Sequence, residues 1–355
     1  MSEPGLDRAS RHLLDAVGAL SIVRLLVSYE SHGMLIPDWA GSTLQGALKN
    51  PAFWVGLGNT RDLLFNPPVP GREERAGPPG MLIHPPPVGG MIPAGDRLVF
   101  GITLIGDAVG VLPLVVDCLR AAGRFGFGAD RDRGRGKAEL EEVVAAAPDG
   151  SHRVIYGRGG PVAASGVPQW CAEGMICSPP FSGPLRVVFL TPTALADRSS
   201  RHRYWGLQPR ETEGLLPERL PAQVLIDGLL RRVEGLLMTH CGVGLDVSWR
   251  RPYTEASKGL RNAMQSLWWC DLLRKSSRSG MRYAAGGMMG HVEYDGDWRV
   301  VWPLLCLGMF LSVGSRTSMG HGCLTLGNEQ YGIIAASLVP YAYPVLAADR
   351  GEEQS

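Results

Sequence analysis

The chain has no excess of charge of either sign. Its 355 residues include 35 Lys and Arg against 34 Asp and Glu. A polycation that coats nucleic acid is therefore excluded, and any nucleic-acid site needs a local positive field. Charged residues make up 19% of the chain, below the usual globular value of about 25%. This low fraction predicts extensive buried surface, within the chain or against a partner subunit.

The cysteines lack the spacing of a disulfide framework or a redox motif. There are seven of them, an odd number, and no C-x-x-C occurs: Cys118, Cys171, Cys177, Cys241, Cys270, Cys306 and Cys323. This usage predicts a reduced, cytoplasmic protein. No N-terminal signal peptide is visible, and the apolar runs are too short for a membrane span. The apolar tail at 332–346 contains two prolines and is interpreted as a packed or partner-binding segment.

Metal and nucleotide motifs are also missing, so no cofactor is expected. His240 and Cys241 are adjacent but have no partners at ligand spacing. The run DRGRGK at 132–137 does not fit the G-x-x-x-x-G-K-[ST] frame of a phosphate-binding loop. The run GLGNTRD at 56–62 does not follow a convincing strand, which argues against a nucleotide site there.

The first half of the chain predicts one α+β unit. Its elements are a strand at 20–29, a helix with Ser42 as N-cap, a strand within 80–96, a strand at 97–105, a helix at 108–122 and a strand or short helix at 138–144. This order is compatible with a ferredoxin-like βαββαβ unit.

The second half repeats that order with one extra helix inserted. It predicts a strand at 185–192, helical regions at 221–240 and 253–273, strands at 281–285 and 288–294, a helix at 298–311 and a final strand at 322–326. We therefore expect tandem ferredoxin-like (RRM-like) domains of the α+β class. The expected boundaries are 1–150 and 184–330, with a linker at 151–183 and a tail at 331–355.

A glycine-rich loop at 313–322 precedes the last strand. Glycines at such positions let main-chain N–H groups converge without a Cβ in the way, which can form an anion-binding nest. With Arg316 inside it, the loop suits a phosphate chain, and an RNA backbone is one candidate.

Four segments in order resemble one known family. They are IPDWAGSTLQGALKN, RLVFGITLIGDAVGVLPLVVDCLRAAGRFGFGADRDRGRGKAEL, RKSSRSGMRYAAGGMMGHVEYDGDW and LLCLGMFLSVGSRTSMGHGCL. Together they resemble the CRISPR-associated endoribonucleases that process precursor CRISPR RNA, the sixth Cas protein family of the RAMP superfamily. The resemblance spans about residues 20–145 and 184–326.

The resemblance implies a metal-independent reaction. In that family a ribose 2′-OH attacks the adjacent phosphate of the repeat hairpin, leaving a 2′,3′-cyclic phosphate. The chain departs from the family pattern at several positions. Gln45 replaces an arginine of the family's first helix. In the glycine-rich loop, Ser312 and Ser315 replace a histidine and a lysine, and Arg316 follows one position later. His321 occupies the position of the large residue before the last glycine.

In the family that this sequence resembles, the active site usually lies around the first helix, between the two domains. We therefore look for catalytic candidates near that helix. They are Tyr29, His32, Lys49 and, if the preceding segment folds back, His84. Histidine suits the two proton transfers because its pKa lies near working pH. The alternatives stay open: His84 as a turn residue, His32 as merely exposed and Lys49 as a solvated charge at a helix end.

RNA-binding candidates form three groups. The loop supplies Gly314, Ser315, Arg316, Gly320, His321 and Gly322; a second segment supplies Arg274, Lys275 and Arg278; a third supplies Arg131, Arg133 and Arg135. Arginine beside aromatic residues fits phosphate contacts and base stacking. Solvated loops are the alternative, particularly where Asp130 and Asp132 offset the third group.

Three functions remain open from the sequence. The first is cleavage of precursor CRISPR RNA to mature crRNA. The second is a weak or inactive subunit that holds the crRNA 3′ handle within a complex of other Cas proteins. The third is a structural relative that contacts protein more than RNA. No membrane partner is expected.

Overall fold

The computed structural model describes residues 8–86, 89–128, 136–147, 150–176, 183–195, 219–275, 282–328 and 332–333. Elements of the first half are α1 (Arg8–Val17), β1 (Ile22–Ile36), α2 (Gly41–Leu48), α3 (Gly58–Phe65), β2 (Pro68–Val69), β3 (Arg72–Ala76), β4 (Met81–His84), β5 (Gly90–Ile105), α4 (Leu112–Phe125), β6 (Ala138–Ala146) and β7 (His152–Gly157). Elements of the second half are α5 (Ala172–Met175), β8 (Leu185–Thr193), α6 (Ala222–His240), α7 (Val247–Lys258), β9 (Arg261–Cys270), β10 (Leu273–Lys275), β11 (Arg282–Ala284), β12 (Gly287–Asp295), α8 (Trp302–Leu311), β13 (Leu324–Asn328) and β14 (Gly332–Ile333).

The N-terminal sheet has the strand order β4-β5-β1-β6-β7, and β1 is antiparallel to both of its neighbours. The first four strands of that order make a ferredoxin-like unit, with α2 and α4 as its two crossover helices. One side of β1 is apolar and buried: Val23, Leu25, Val27 and Tyr29 face the core under the helices. The strand expected within 80–96 is confirmed as β4, and residues 138–146 form a strand.

The C-terminal sheet has the order β14-β13-β8-β12-β9. Its ferredoxin-like strands β8, β9, β12 and β13 are joined through α6 and α8, so the prediction of tandem ferredoxin-like domains is confirmed. The ten residues of α8 are all buried, which explains why this helix is apolar on every side. None of the helices within the described ranges is long and apolar enough to cross a bilayer.

Three local predictions were wrong. The helix α2 begins at Gly41 with Ala40 at the N-cap, and no side chain caps it, so Ser42 is inside the helix. The helical region expected at 253–273 is the end of α7 followed by strand β9. Alternate residues of β9 pack inward against the sheet's own core, which is a period of two rather than of 3.6. Residues 152–157, expected within the linker, pair with β6 as an edge strand.

The two halves share buried surface. Ile22, Leu82 and Ile105 belong to the N-terminal sheet but pack into the C-terminal core. Trp170, between the halves in sequence, joins them: its indole N–H donates to the Ala146 carbonyl at 2.8 Å, and its ring lies 4.9 Å from that of Phe310. The side of each sheet that faces away from its helices is called its open face below.

Candidate RNA-binding interface

The glycine-rich loop, residues 313–322, lies at the junction of the two halves. The Gln45 side-chain amide in α2 donates to the Ser318 hydroxyl at 2.6 Å. The imidazole of His321 meets the indole of Trp39 edge-on, with 5.0 Å between ring centroids. His321 is buried, whereas Ser315 is exposed. Most of the loop is therefore interdomain contact, and its surface is the short stretch around Ser315.

The main-chain amides of this loop largely have partners of their own. Ser315 N–H donates to the Ala194 carbonyl, Gly320 N–H to the Thr317 carbonyl and Gly322 N–H to the Pro192 carbonyl, at 3.0–3.2 Å. Buried N–H groups must be satisfied in this way, because leaving them unpaired is costly. These amides do not converge on an open anion nest, which corrects the mechanism expected from the glycines.

Glycine is required here because two backbones come into contact. A Cβ on Gly41, at the start of α2, would lie 1.9 Å from the Met319 carbonyl oxygen. Gly320 has φ +84°, and its Cβ would lie 2.6 Å from the Ile83 carbonyl oxygen and 2.3 Å from Cδ of Pro85. The loop thus rests directly on α2 and on the end of β4.

A buried polar chain runs beneath the loop. Nε2 of His84 lies 2.8 Å from the Thr103 hydroxyl, and Nδ1 lies 3.4 Å from Sγ of Cys323 across the junction. Arg24 places its guanidinium over the Phe310 ring at 5.3 Å. Burial lowers the pKa of His84 to about 3 and that of Arg24 to about 10.

His84 is therefore a neutral core group and not a surface base. It is 4% exposed, and its ring nitrogens contact Thr103 and Cys323. A histidine with such a low pKa is also a weak base at neutral pH. This location does not suit the catalytic role considered for His84. The segment does fold back, but it places His84 in the buried contact between the halves and not at the surface.

Tyr29 is in the N-terminal core. Its hydroxyl donates to the Leu119 carbonyl in α4 at 2.8 Å, and the side chain is completely buried. Burial raises the pKa of this phenol well above its usual value. The hydroxyl cannot reach an RNA at the surface without breaking that bond.

His32 is exposed on the open face of the N-terminal sheet. A register shift of β1 against β5 falls between Glu30 and His32, and the His32 N–H donates to the Lys137 carbonyl at 3.0 Å. Two arginines lie on the same face: Arg158 pairs with Glu30, and Arg97 pairs with Glu141 at 2.8 Å. The Arg158 hydrogen bond lowers the pKa of Glu30. Sequence reasoning missed these arginines, because the alternation of Ser28, Glu30 and His32 indicates a polar face of β1 but not which residues of other strands share that face.

Lys49 is the C-cap residue of α2, directly after Leu48. Its Nζ lies 5.1 Å from the centroid of the Phe65 ring, a cation–π distance. The residue is half-buried.

The remaining basic candidates lie on, or next to, parts of the chain that the structure leaves undescribed. Arg274 and Lys275 are in β10, opposite Tyr283 and Arg282 of β11, and form a hairpin between β9 and β12. Arg278, Arg131, Arg133 and Arg135 fall outside the described residues. No cluster of metal-ligating side chains is present in the described ranges.

Family models match both halves of the chain. The model described as CRISPR-associated endoribonuclease Cas6 matches residues 187–324. A model described as an N-terminal domain matches residues 62–166. No curated protein matches the chain in sequence.

Solved structures share the arrangement of both halves. Thermus thermophilus Cas6 in a product complex is 15% identical, with a TM-score of 0.53, over 86% of this chain and 98% of that one. A partial Cas6–RT–Cas1–Cas2 complex is 10% identical, with a TM-score of 0.51, over 88% of this chain and 47% of that one. The chain thus spans about half the length of the latter protein.

These findings first define a class: an α+β protein of two ferredoxin-like domains joined through a glycine-rich loop. Its C-terminal region, residues 187–324, matches the family model of the CRISPR-associated endoribonuclease Cas6. The resemblance found in the sequence is therefore confirmed.

Proposed function

We propose that this protein binds the repeat hairpin of precursor CRISPR RNA and cleaves it without a metal to give mature crRNA. The ribose 2′-OH attacks the adjacent phosphate, and the products carry a 2′,3′-cyclic phosphate and a 5′-OH. The observation that carries the proposal is the Cas6 family match at 187–324, on a chain whose two halves both have the ferredoxin-like fold.

His32 is our candidate for proton transfer. It is the exposed histidine among the catalytic candidates, on a sheet face that also presents Arg97 and Arg158. Imidazole can take the 2′-OH proton near neutral pH, and a guanidinium favours the charge that develops on the phosphate. The arginines now pair with carboxylates, so RNA phosphates would have to compete for them.

The surface part of the loop is our candidate for backbone contact. Gly314, Ser315 and Arg316 reach solvent at the junction, and the paired strands β10 and β11, which contain Arg274, Lys275 and Arg282, follow β9. Contacts of this kind fix an RNA strand across two domains and give binding a steep salt dependence.

The test uses repeat RNA from the same genome, incubated with the full chain in EDTA. We expect one discrete cut, a cyclic phosphate on the upstream product and no cut when a 2′-deoxy residue stands at the cleavage site. The substitution His32→Ala should lower the single-turnover rate by about 10²–10⁴-fold with little change in Kd.

His152→Ala is the matched control, because His152 is a second exposed histidine, in β7 at the far edge of the same sheet. Cleavage unaffected by His32→Ala would rule out the role of His32. Absence of any discrete cut would rule out the endonuclease proposal itself.

A second candidate is a subunit that holds the crRNA 3′ handle, without cutting, together with other Cas proteins. The burial of Tyr29 and His84 favours it, as does Ser312, which is buried at the position of a family histidine. Tight hairpin binding with no product, even from wild-type protein at long incubation, would select this function over the first.

A further inference from the structure

Only part of the open face of the C-terminal sheet is covered by other residues of the chain. Near β8 and β13, Val188, Leu190 and Cys323 are buried, with Cys323 contacting His84 of the other half. Near β9 it is exposed. Trp268 is 43% exposed and Met264 41% exposed.

The exposed side forms a narrow strip, defined by Met264, Ser266, Trp268, Met289 and His291. The register of β9 against β12 places Trp268 opposite Met289 and Ser266 opposite His291. The other residues of β12 around them, Met288 and Val292, point into the helix-side core, so these five share the open face.

The indole of Trp268 rests on a glycine. Gly290 has φ +105°, and a Cβ there would come 2.8 Å from Cζ3 of the indole. The ring therefore packs on the backbone of β12 while much of its surface faces solvent. A large apolar ring held in one place at this level of exposure is suited to stacking.

We propose that Trp268 stacks against an unpaired base of the bound RNA, beside the repeat hairpin. This inference rests on the proposed RNA-binding function. Sequence-tolerant recognition of single strands on a sheet face depends on aromatic stacking, and neighbouring polar groups read base edges. Ser266 and His291 supply such groups next to Trp268.

Charge favours RNA over a protein partner at this strip. Trp268 lies near the end of β9, and the paired strands β10 and β11 that follow contain Arg274, Lys275 and Arg282 and no Asp or Glu. On the open face itself, Glu293 is paired with Arg186, so its charge is offset. An RNA strand that reaches the strip thus has a cationic neighbour for its phosphates.

The test compares two RNAs with a 2′-deoxy cleavage site: the bare repeat hairpin and the hairpin with short oligouridine extensions. Trp268→Ala should weaken binding of the extended RNA about 5- to 150-fold and leave the bare hairpin unchanged. Trp268→Phe should retain most of the affinity. Extensions built of abasic linkers should remove the difference between wild type and Trp268→Ala.

The salt dependence gives a second readout. Loss of a stacked base should leave the slope of log K against log[salt] unchanged, because no phosphate contact is lost. Phe125→Ala is the matched control: Phe125 is 44% exposed, in α4 of the N-terminal half. Melting curves of both variants establish that they fold.

Each outcome decides between the proposals. If wild-type protein binds neither RNA, the proposed function fails and the stacking proposal falls with it. If it binds both RNAs and Trp268→Ala weakens neither, or weakens both alike, the stacking proposal is wrong while the proposed function stands.

Discussion

The substitution Gly41→Ala tests whether the two halves are held together by direct backbone contact. Gly41 is the first residue of α2, and its added methyl would lie 1.9 Å from the Met319 carbonyl oxygen. Carbon–oxygen contacts normally begin at about 3.3 Å, so the loop and the helix would have to separate by more than about 1 Å.

The expected cost follows from the atoms involved. A backbone carbonyl cannot rotate away as a side chain can, so the strain resembles overpacking of a core, about 1–3 kcal/mol. Gly46, five residues on in the same helix, is exposed and has no atom within 4 Å of its added Cβ. Gly46→Ala should instead stabilise the protein by about 0.5–1 kcal/mol, because alanine is the better helix former.

The two variants should therefore differ by about 1.5–4 kcal/mol in the free energy of unfolding. Urea denaturation followed by tryptophan fluorescence measures this difference, and calorimetry shows whether the halves still unfold together. We also expect Gly41→Ala to weaken hairpin binding and Gly46→Ala to leave it intact, because the exposed loop residues are positioned by the same contact.

A Gly41→Ala protein as stable as Gly46→Ala would refute the reasoning. It would mean that the halves do not meet through α2 and the loop at the distances described.

Two further predictions concern the same junction. His84 has a native pKa of about 3 against about 6.5 unfolded, so the unfolded chain binds more protons between those values. The stability that this neutral histidine contributes is complete above pH 6.5 and is lost as pH falls toward 3. Urea denaturation at pH 7 and 4.5 should therefore show a smaller acid loss for His84→Gln than for wild type, and an equal loss would contradict the assignment. Gln45→Ala and Ser318→Ala should each lower the free energy of unfolding by about 0.5–1.5 kcal/mol, and the double mutant should lose less than the sum of the two. If the two losses simply add, the 2.6 Å hydrogen bond contributes nothing to stability.

Local patterns were enough for most of the elements. Short runs rich in Val, Ile and Leu indicated β1 and β8, and a longer continuous apolar run indicated α8, because buried segments leave apolar runs that can be read along the chain. The pattern failed at β9, a sheet-edge strand with apolar residues on both faces: Leu267 and Trp269 pack on the core, whereas Met264 and Trp268 are exposed.

The candidate site was harder to predict. His84 was considered for catalysis as a polar residue in a proline-rich turn, yet it is buried against Cys323, 239 positions away in sequence. Gln45 was noted only as the loss of a charge, although it bonds Ser318 from the other half. Contacts of such long sequence separation leave no local period to detect.

By itself the sequence determined the class of fold, the order of its two βαββαβ halves and the resemblance of its C-terminal region to Cas6, because these depend on hydrophobic period and on short motifs. Only the tertiary structure decided which polar residues face solvent. The glycines of the 313–322 loop would permit close approach of an RNA backbone or of another part of the protein. The packing of the two halves decided that the neighbours are α2 and β4. His32 and Trp268 lie on open sheet faces because the contact between the halves buries only part of each face and leaves the remainder exposed.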